Sequence, residues 1–360
     1  MGAASVIAPA YIAEVSPAPV RGRLGSLQQL AIVVGIFTAL LADALLARAA
    51  GGAAEDLWAG LEAWRWMFIA AFVPAVLYGV FALTIPESPR YLVDRGQTRE
   101  AERVLRTYAA VEDTGEKIAH IQRSLAREAQ ESLRDLRGPR AGLKPIVWVG
   151  IFLAVFQQLV GINVIFYYST TLWRSVGLGE SQALTSSVVT SVTNIVVTVV
   201  AILLIDRVGR RPLLLVGSAG MVVALGTMAV AFAQAQGSGD QATLPSPWGV
   251  IALVAANAFV VFFGATWGPV MWVMLGEMFP NRIRATAVAV ASAANWLANF
   301  AVSTTFPSLS AWNLAGGYGI YAACALISFV FVLRRVPETR NRELEEMTDE
   351  ANVARRSGGR

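Results

Sequence analysis

Side-chain amides recur inside the long hydrophobic stretches of this chain, where apolar residues would be expected. Gln28 and Gln29, then Gln157, Gln158 and Asn163, then Asn194, then Asn295 and Asn299 all lie in such stretches. Ser187, Ser191, Asn194 and Thr198 follow one another at i, i+4, i+7 and i+11, and Ser292, Asn295 and Asn299 at i, i+3 and i+7. Each set therefore makes one stripe of a helix. Unpaired polar groups in hydrocarbon are costly, so the stripes must face a partner or a water-filled cavity. An amide offers donors and an acceptor to hydroxyls that are themselves both. The indole of Trp272 suits the C–H face of a sugar ring. No Lys or Arg interrupts the interior of these stretches, and Asp43 sits near an outer end. A carboxylate or phosphate would want a cation there. The pattern predicts a site for a neutral polyhydroxy solute; the alternative is that the amides bond helix to helix.

Two backbone devices would be needed to gather these groups. Gln158 and Asn163 are about 140° apart on an ideal helix, so they converge only if the helix bends, which Gly161 permits. Gly264, Gly268 and Pro269 interrupt a second run beside Trp272, and proline there withholds a backbone donor. Interrupted helices at mid-membrane point to a binding site.

The elements that carry these devices are membrane spans. Of 360 residues, 55% are apolar and 15% charged, with mean hydropathy +0.54. About 25% charge is usual for a soluble protein. Eight runs reach the roughly 20 residues a spanning helix needs: Leu24–Ala47, Trp64–Ile85, Leu143–Ser169, Ala183–Ile205, Pro212–Ala235, Trp248–Leu275, Ala285–Leu309 and Gly316–Leu333. Regular β alternation is absent, which argues against a barrel, and Cys324 is the single cysteine and so has no disulfide partner within the chain. Of the 29 Lys and Arg, only Arg48, Arg65 and Arg174 fall on the side reached by odd-numbered spans. The other side is then cytoplasmic, with the C-terminus on it. The basic balance thus reports topology in a bilayer, and nothing calls for nucleic acid, a metal, a cofactor or enzymatic chemistry.

Between the second and third spans lies a charged, amphipathic segment. Thr98–Ala109 and Glu116–Gln130 read as surface helices, with Ala101, Val104, Leu105 and Tyr108 as an apolar face. His120, the only histidine, reads as a solvated residue here, and Ala351–Arg360 as a loose polar tail.

The chain also repeats itself. Glu14-Val-Ser-Pro17-Ala-Pro-Val-Arg21 returns as Glu277-Met-Phe-Pro280-Asn-Arg-Ile-Arg284, and Pro86-Glu87-Ser88 as Pro337-Glu338-Thr339. Parallel repeats are how many transporters are built. Only 13 residues precede Glu14, against roughly 130 between Leu143 and Glu277. The symmetry predicts about 120 further residues upstream, holding three spans and most of a fourth, with Met1 inside a helix. Gly2–Ala13 is too short to span, and it lacks the basic start of a signal peptide. Glu14, Arg21, Glu277 and Arg284 sit at helix ends within reach of Asp206, Arg207, Arg210 and Arg211. Together they read as a cytoplasmic charge lock that biases a two-state equilibrium; the alternative is a set of interfacial basic anchors.

The motifs in order are Pro9-Ala-Tyr11-Ile-Ala-Glu14 with Arg21-Gly22, Pro86-Glu-Ser-Pro-Arg-Tyr-Leu92, Gln157-Gln-Leu-Val-Gly-Ile-Asn163 with Tyr167-Tyr168, Asp206-Arg-Val-Gly-Arg-Arg211, Gly268-Pro269-Val-Met-Trp272, Asn295-Trp296 and Pro337-Glu-Thr-Arg340. In these the chain resembles the sugar porter branch of the major facilitator superfamily, from Met1 to about Met347. The resemblance implies an all-α polytopic fold lacking about the first three of twelve helices. Residues 1–86 would be the remainder of the N-terminal half, with the end of helix four and helices five and six. Residues 87–142 would be the cytoplasmic helical segment, 143–334 the six-helix C-terminal half and 335–360 a cytoplasmic tail. It assigns sugar hydrogen bonds to Gln29, Gln157, Gln158, Asn163, Asn194 and Asn295, stacking to Trp272 and pocket lining to Phe263, with Gln28 a packing neighbour. Tyr167 and Tyr168 resemble the family's extracellular gate, the alternative being interfacial anchoring. Apolar Ile36 leans toward a hexose over a pentose. The function implied is alternating-access transport of a neutral monosaccharide across a cell (inner) membrane, with protons as co-substrate. Facilitative uniport, a non-transporting sugar sensor and an exporter of another solute are the alternatives.

Overall fold

The computed structural model describes residues 11–12, 21–109, 113–128, 133–138, 142–175, 177–236, 244–280 and 283–339. Hydrophobic run length dictates most of what is seen. Helix α1, Arg21–Ala50, carries the first run. A short hairpin follows, β1 Asp56–Trp58 against β2 Leu61–Glu62. Its two-residue loop places Ala59 at φ 55° and Gly60 at φ 66°, the double left-handed turn that matches strand twist. The second run is split into α2, Ala63–Ala70, and α3, Phe72–Thr84. Pro74 explains the split, because it cannot donate to the turn before it.

Outside the spans, Ser88 accepts from the backbone N–H groups of Arg90 and Tyr91 at 3.2 Å each, and Pro89 opens α4, Pro89–Asp94. With α5, Thr98–Thr107, and α6, Thr114–Glu128, it closes a separate small core of Leu92, Val93, Ala101, Val104, Leu105, Ala109 and Ile118. Tyr108, predicted to share that apolar face, is exposed. It lies just past the end of α5, at its C-cap, where the helical spacing no longer holds it inward. His120 is exposed, as its polar neighbours predict.

The third run breaks in the middle, into α7 Pro145–Leu159, α8 Ile162–Tyr167 and a short α9, Ser169–Ser175. Then come α10 Glu180–Val208 and α11 Arg210–Phe232. The sixth run is α12 Trp248–Phe262, a π-helical turn Phe263–Trp267, and α13 Gly268–Met278. The last two runs share one continuous helical segment, α14, Arg284–Arg335, broken at Asn313, whose φ/ψ of −164°/104° is extended. Its limbs, 284–312 and 314–335, are antiparallel. Arg284 Nε donates to the Phe279 carbonyl and Thr339 Oγ1 to Glu277, so both ends return to the end of α13. Leu309 and Gly317 meet across the break, and Asn313 Oδ1 accepts from Gly316 N at 2.9 Å. Seven helical segments among the described residues are long and apolar enough to cross a membrane, and α14 holds two of the eight predicted runs.

The main core lies in α7 to α14. Helix α1 joins it through Ile36 and Leu40, whereas α2 and α3 leave Phe68, Phe72, Phe81 and Leu83 exposed.

Candidate functional site

Gly161 makes the first break. Its φ of +82° lies in the left-handed region, which an L-residue disfavours. A Cβ there would also lie 2.9 Å from the Tyr321 ring. Because the helix turns at this point, Asn163 swings back to Gln158, and its Nδ2 donates to Gln158 Oε1 at 2.7 Å. The bend predicted from Gly161 is thus present, and it brings the two amides into contact.

Around them a closed amide cluster forms. Gln158 Nε2 donates to Asn295 Oδ1 at 3.1 Å and to Gln157 Oε1 at 3.4 Å. Asn295 Nδ2 donates to Gln157 Oε1 and to the Ala154 carbonyl, both at 2.8 Å. Gln157 Nε2 reaches the carbonyls of Trp267 and Gly268 at 3.3 Å each. Gln157, Gln158 and Asn295 are all buried, as such pairing requires. An amide has two N–H groups and two lone pairs on its oxygen, so Gln157 has no capacity left and Asn295 keeps one lone pair. Gln158 Oε1 keeps a lone pair, while half-buried Asn163 keeps an N–H and its whole carbonyl.

The other expected site residues lie on elements that border this cluster. A Cβ built on Gly268 would lie 3.8 Å from Gln29 Nε2, so α1 delivers its amide to the interrupted helix. Asn194 is buried, and its Oδ1 abuts Gly264, where a Cβ would lie 2.7 Å away. Ser187 and Ser191 turn back to the carbonyls of Ala183 and Val188 in their own helix. Thr198 Oγ1 is buried without a hydrogen-bond partner among the described residues. Phe263 is buried against Phe259, and Trp272 is half-buried. Of the two tyrosines, Tyr167 is exposed, while Tyr168 donates to the Ser303 carbonyl at 3.0 Å and packs on Phe306. The Gln28 side chain lies outside the described residues.

At the basic end of the helices, part of the expected charge network is assembled among the described residues. Arg210 pairs with Glu277 through two prongs, Nη2–Oε1 at 2.8 Å and Nε–Oε2 at 3.1 Å. Arg207, however, is exposed and forms no ion pair among the described residues. Gly209, at φ +101°, breaks α10 from α11, so Arg207 and Arg210 do not share a face. Arg211 Nη2 donates to the Leu333 carbonyl at 2.7 Å, and Arg284 Nε to the Phe279 carbonyl at 3.2 Å. Glu14 and the side chains of Arg21 and Asp206 lie outside the described residues.

Two members of this network were not predicted. Glu338 accepts the backbone N–H groups of Arg210 and Arg211, at 3.1 Å each. It therefore caps α11, where first-turn amides lack partners and the helix dipole favours an anion. Thr339 Oγ1 donates to Glu277 Oε2 at 2.7 Å. The repeat of Pro86-Glu-Ser as Pro337-Glu-Thr was the available signal; Ser88, the residue equivalent to Thr339, caps α4.

The profile of the family described as "Sugar (and other) transporter" matches residues 1–351. A glucose transport protein of Synechocystis sp. is 52% identical over 349 residues, 96% of this chain and 74% of that protein. A D-xylose-proton symporter of Escherichia coli is 36% identical over 355 residues, 96% of this chain and 68% of its own length. The solved structure of the proton:xylose symporter XylE bound to 6-bromo-6-deoxy-D-glucose superposes with a TM-score of 0.75 at 34% identity, covering 96% of this chain and 70% of that one. The xylose transporter's inward-open form gives 0.76, also at 34% identity. With apolar helices of spanning length throughout, this is a multi-pass membrane protein of the major facilitator fold, and the chain belongs to the sugar transporter family.

Proposed function

We propose that this protein carries a neutral monosaccharide across the cell (inner) membrane by alternating access, with protons as co-substrate. The observation that carries the reading is the amide cluster at the Gly161 break, buried and built without a cation. Gln158, Asn163, Asn194 and Gln29 supply the sugar's hydrogen bonds, and Trp272 and Phe263 its apolar contact. Gln157, whose amide is saturated, and Asn295, whose two N–H groups are both given to protein partners, hold that set in place. A hexose is favoured by the 52% identity to a glucose transport protein and by apolar Ile36. Proton coupling is supported by the relatives named as proton symporters.

The distribution of basic residues supports a cytoplasmic C-terminus and a cytoplasmic helical segment over 87–142, between a first part, 1–86, and the half formed by 143–334. On that side the Arg210–Glu277 pair, with Thr339 and Glu338, braces the ends of α11 and α13. Tyr167 and Tyr168 close the opposite end over bound sugar. The test is uptake of D-glucose by the full-length protein in proteoliposomes. Gln158→Ala and Asn163→Ala should each reduce it by about tenfold or more, the value of one or two hydrogen bonds in a buried site. Unchanged uptake in both variants removes the assignment.

A further inference from the structure

The indole of Trp267 is fully buried, and its Nε1 lies 3.0 Å from both the Leu214 carbonyl and Ser218 Oγ. Ser218 is itself fully buried and stands 3.1 Å from Ser328 Oγ. Because Ser328 gives its proton to the Ala325 carbonyl at 2.7 Å, the direction of the chain is set. Trp267 donates to Ser218, Ser218 to Ser328, and Ser328 to the backbone of α14. Three elements are joined by one satisfied polar seam in an apolar interior, where a missing partner would be costly.

Shape reinforces the seam. A methyl group on Gly217 would collide with the Thr266 hydroxyl and come within 3.0 Å of Trp267 Cδ1, and one on Gly220 would enter the Phe262 ring. The backbone of α11 therefore lies directly against the π-helical turn. Such turns are uncommon and concentrate at functional positions.

The other end of the same residue meets the amide cluster. The Trp267 carbonyl accepts from Gln157 Nε2 at 3.3 Å, and Gln157 Oε1 in turn receives Asn295 and Gln158. We infer that Trp267 is a positioning residue of the sugar site: its indole N–H, held by Leu214 and Ser218, fixes the carbonyl that aims Gln157. Through Gln157 it fixes the orientation of Gln158 and Asn295. The inference rests on the amide cluster being the sugar site.

The test is a double-mutant cycle on the full-length protein, with D-glucose as the probe. Trp267→Phe keeps an aromatic ring but removes the N–H. It should raise the Kd for glucose about tenfold, the worth of one misdirected hydrogen bond in the site, and change the maximal rate at saturating glucose less than the Kd. In a Gln157→Ala background the same change should leave Kd unaltered, because the group it aims is gone. Ser218→Ala, which removes one of two acceptors, provides a milder variant. It should raise Kd about threefold, again only when Gln157 is present. A Trp267→Phe or Ser218→Ala protein that melts earlier yet binds glucose as before overturns the inference, as does an equal Kd shift in both backgrounds. Gln158→Ala separates the two readings. If it abolishes binding while Trp267→Phe does not alter Kd, the positioning role alone fails. If it leaves binding intact, the sugar site fails and this role with it.

Discussion

Replacing Gly161 by alanine should damage both folding and binding, and the two effects can be separated. The backbone term is the cost of holding an L-residue at φ +82°, about 1–2 kcal/mol. The packing term arises because the new Cβ would stand 2.9 Å from Tyr321 Cδ2 and 3.0 Å from Cγ. Tyr321 is buried and its ring cannot simply turn aside, so overpacking adds about 1–3 kcal/mol. The sum, about 2–5 kcal/mol, is a large part of the typical net stability of a folded domain. If the helix relieved this strain by straightening, Asn163 would swing away from Gln158 and the 2.7 Å bond would be lost. Glucose Kd should then rise about tenfold or more. Gly51→Ala is the control, since that residue has φ +88° with nothing within 4 Å of its Cβ. It should incur only the backbone term and leave Kd unchanged. Thermal unfolding with calorimetric titration of glucose reads both quantities. A Gly161→Ala protein that melts with Gly51→Ala and binds glucose like the wild type would refute the reasoning.

Glu277→Gln should lower the melting temperature, because it leaves Arg210, whose side chain is 11% exposed, without its two-pronged partner. Glu277 itself is 32% exposed, so the loss is expected near about 1–2 kcal/mol, below that of a fully buried pair. An unchanged melting curve would remove the pair from the account. Ser88→Ala should cost about 1 kcal/mol and speed hydrogen exchange at the Arg90 and Tyr91 amides, the groups that Ser88 caps. Unchanged exchange there would show the cap to be idle.

Run length and composition made the spans legible, since a hydrophobic stretch of spanning length has few other stable forms. Gly161 was legible as a bend because two polar residues on different faces of one helix needed one. The joining of those amides to Asn295 was harder to read: Gln158 and Asn295 are 137 positions apart, and a stripe's periodicity gives its face but not its neighbour. For the same reason the saturation of Gln157 emerges only with the carbonyls of Trp267 and Gly268 in place. The hairpin at Ala59-Gly60 has no clear signal in the sequence, because alanine is an unusual choice for a left-handed turn position. The separation of Arg207 from Arg210 is likewise hidden in the motif, because Gly209 divides residues 206–211 between two helices. Glu338 shows the opposite failing: its motif was visible, but a carboxylate that caps a helix more than a hundred residues away cannot be read from local spacing.

Equilibrium titration of the full-length protein with D-glucose and with D-glucuronate, a pyranose that carries a carboxylate, tests the central claim most directly. A cluster of neutral amides without a cation should bind glucose, weaken that binding about tenfold or more in Asn163→Ala, and bind glucuronate far more weakly than glucose. Binding of glucuronate as tight as that of glucose, or glucose binding untouched by Asn163→Ala, would contradict it.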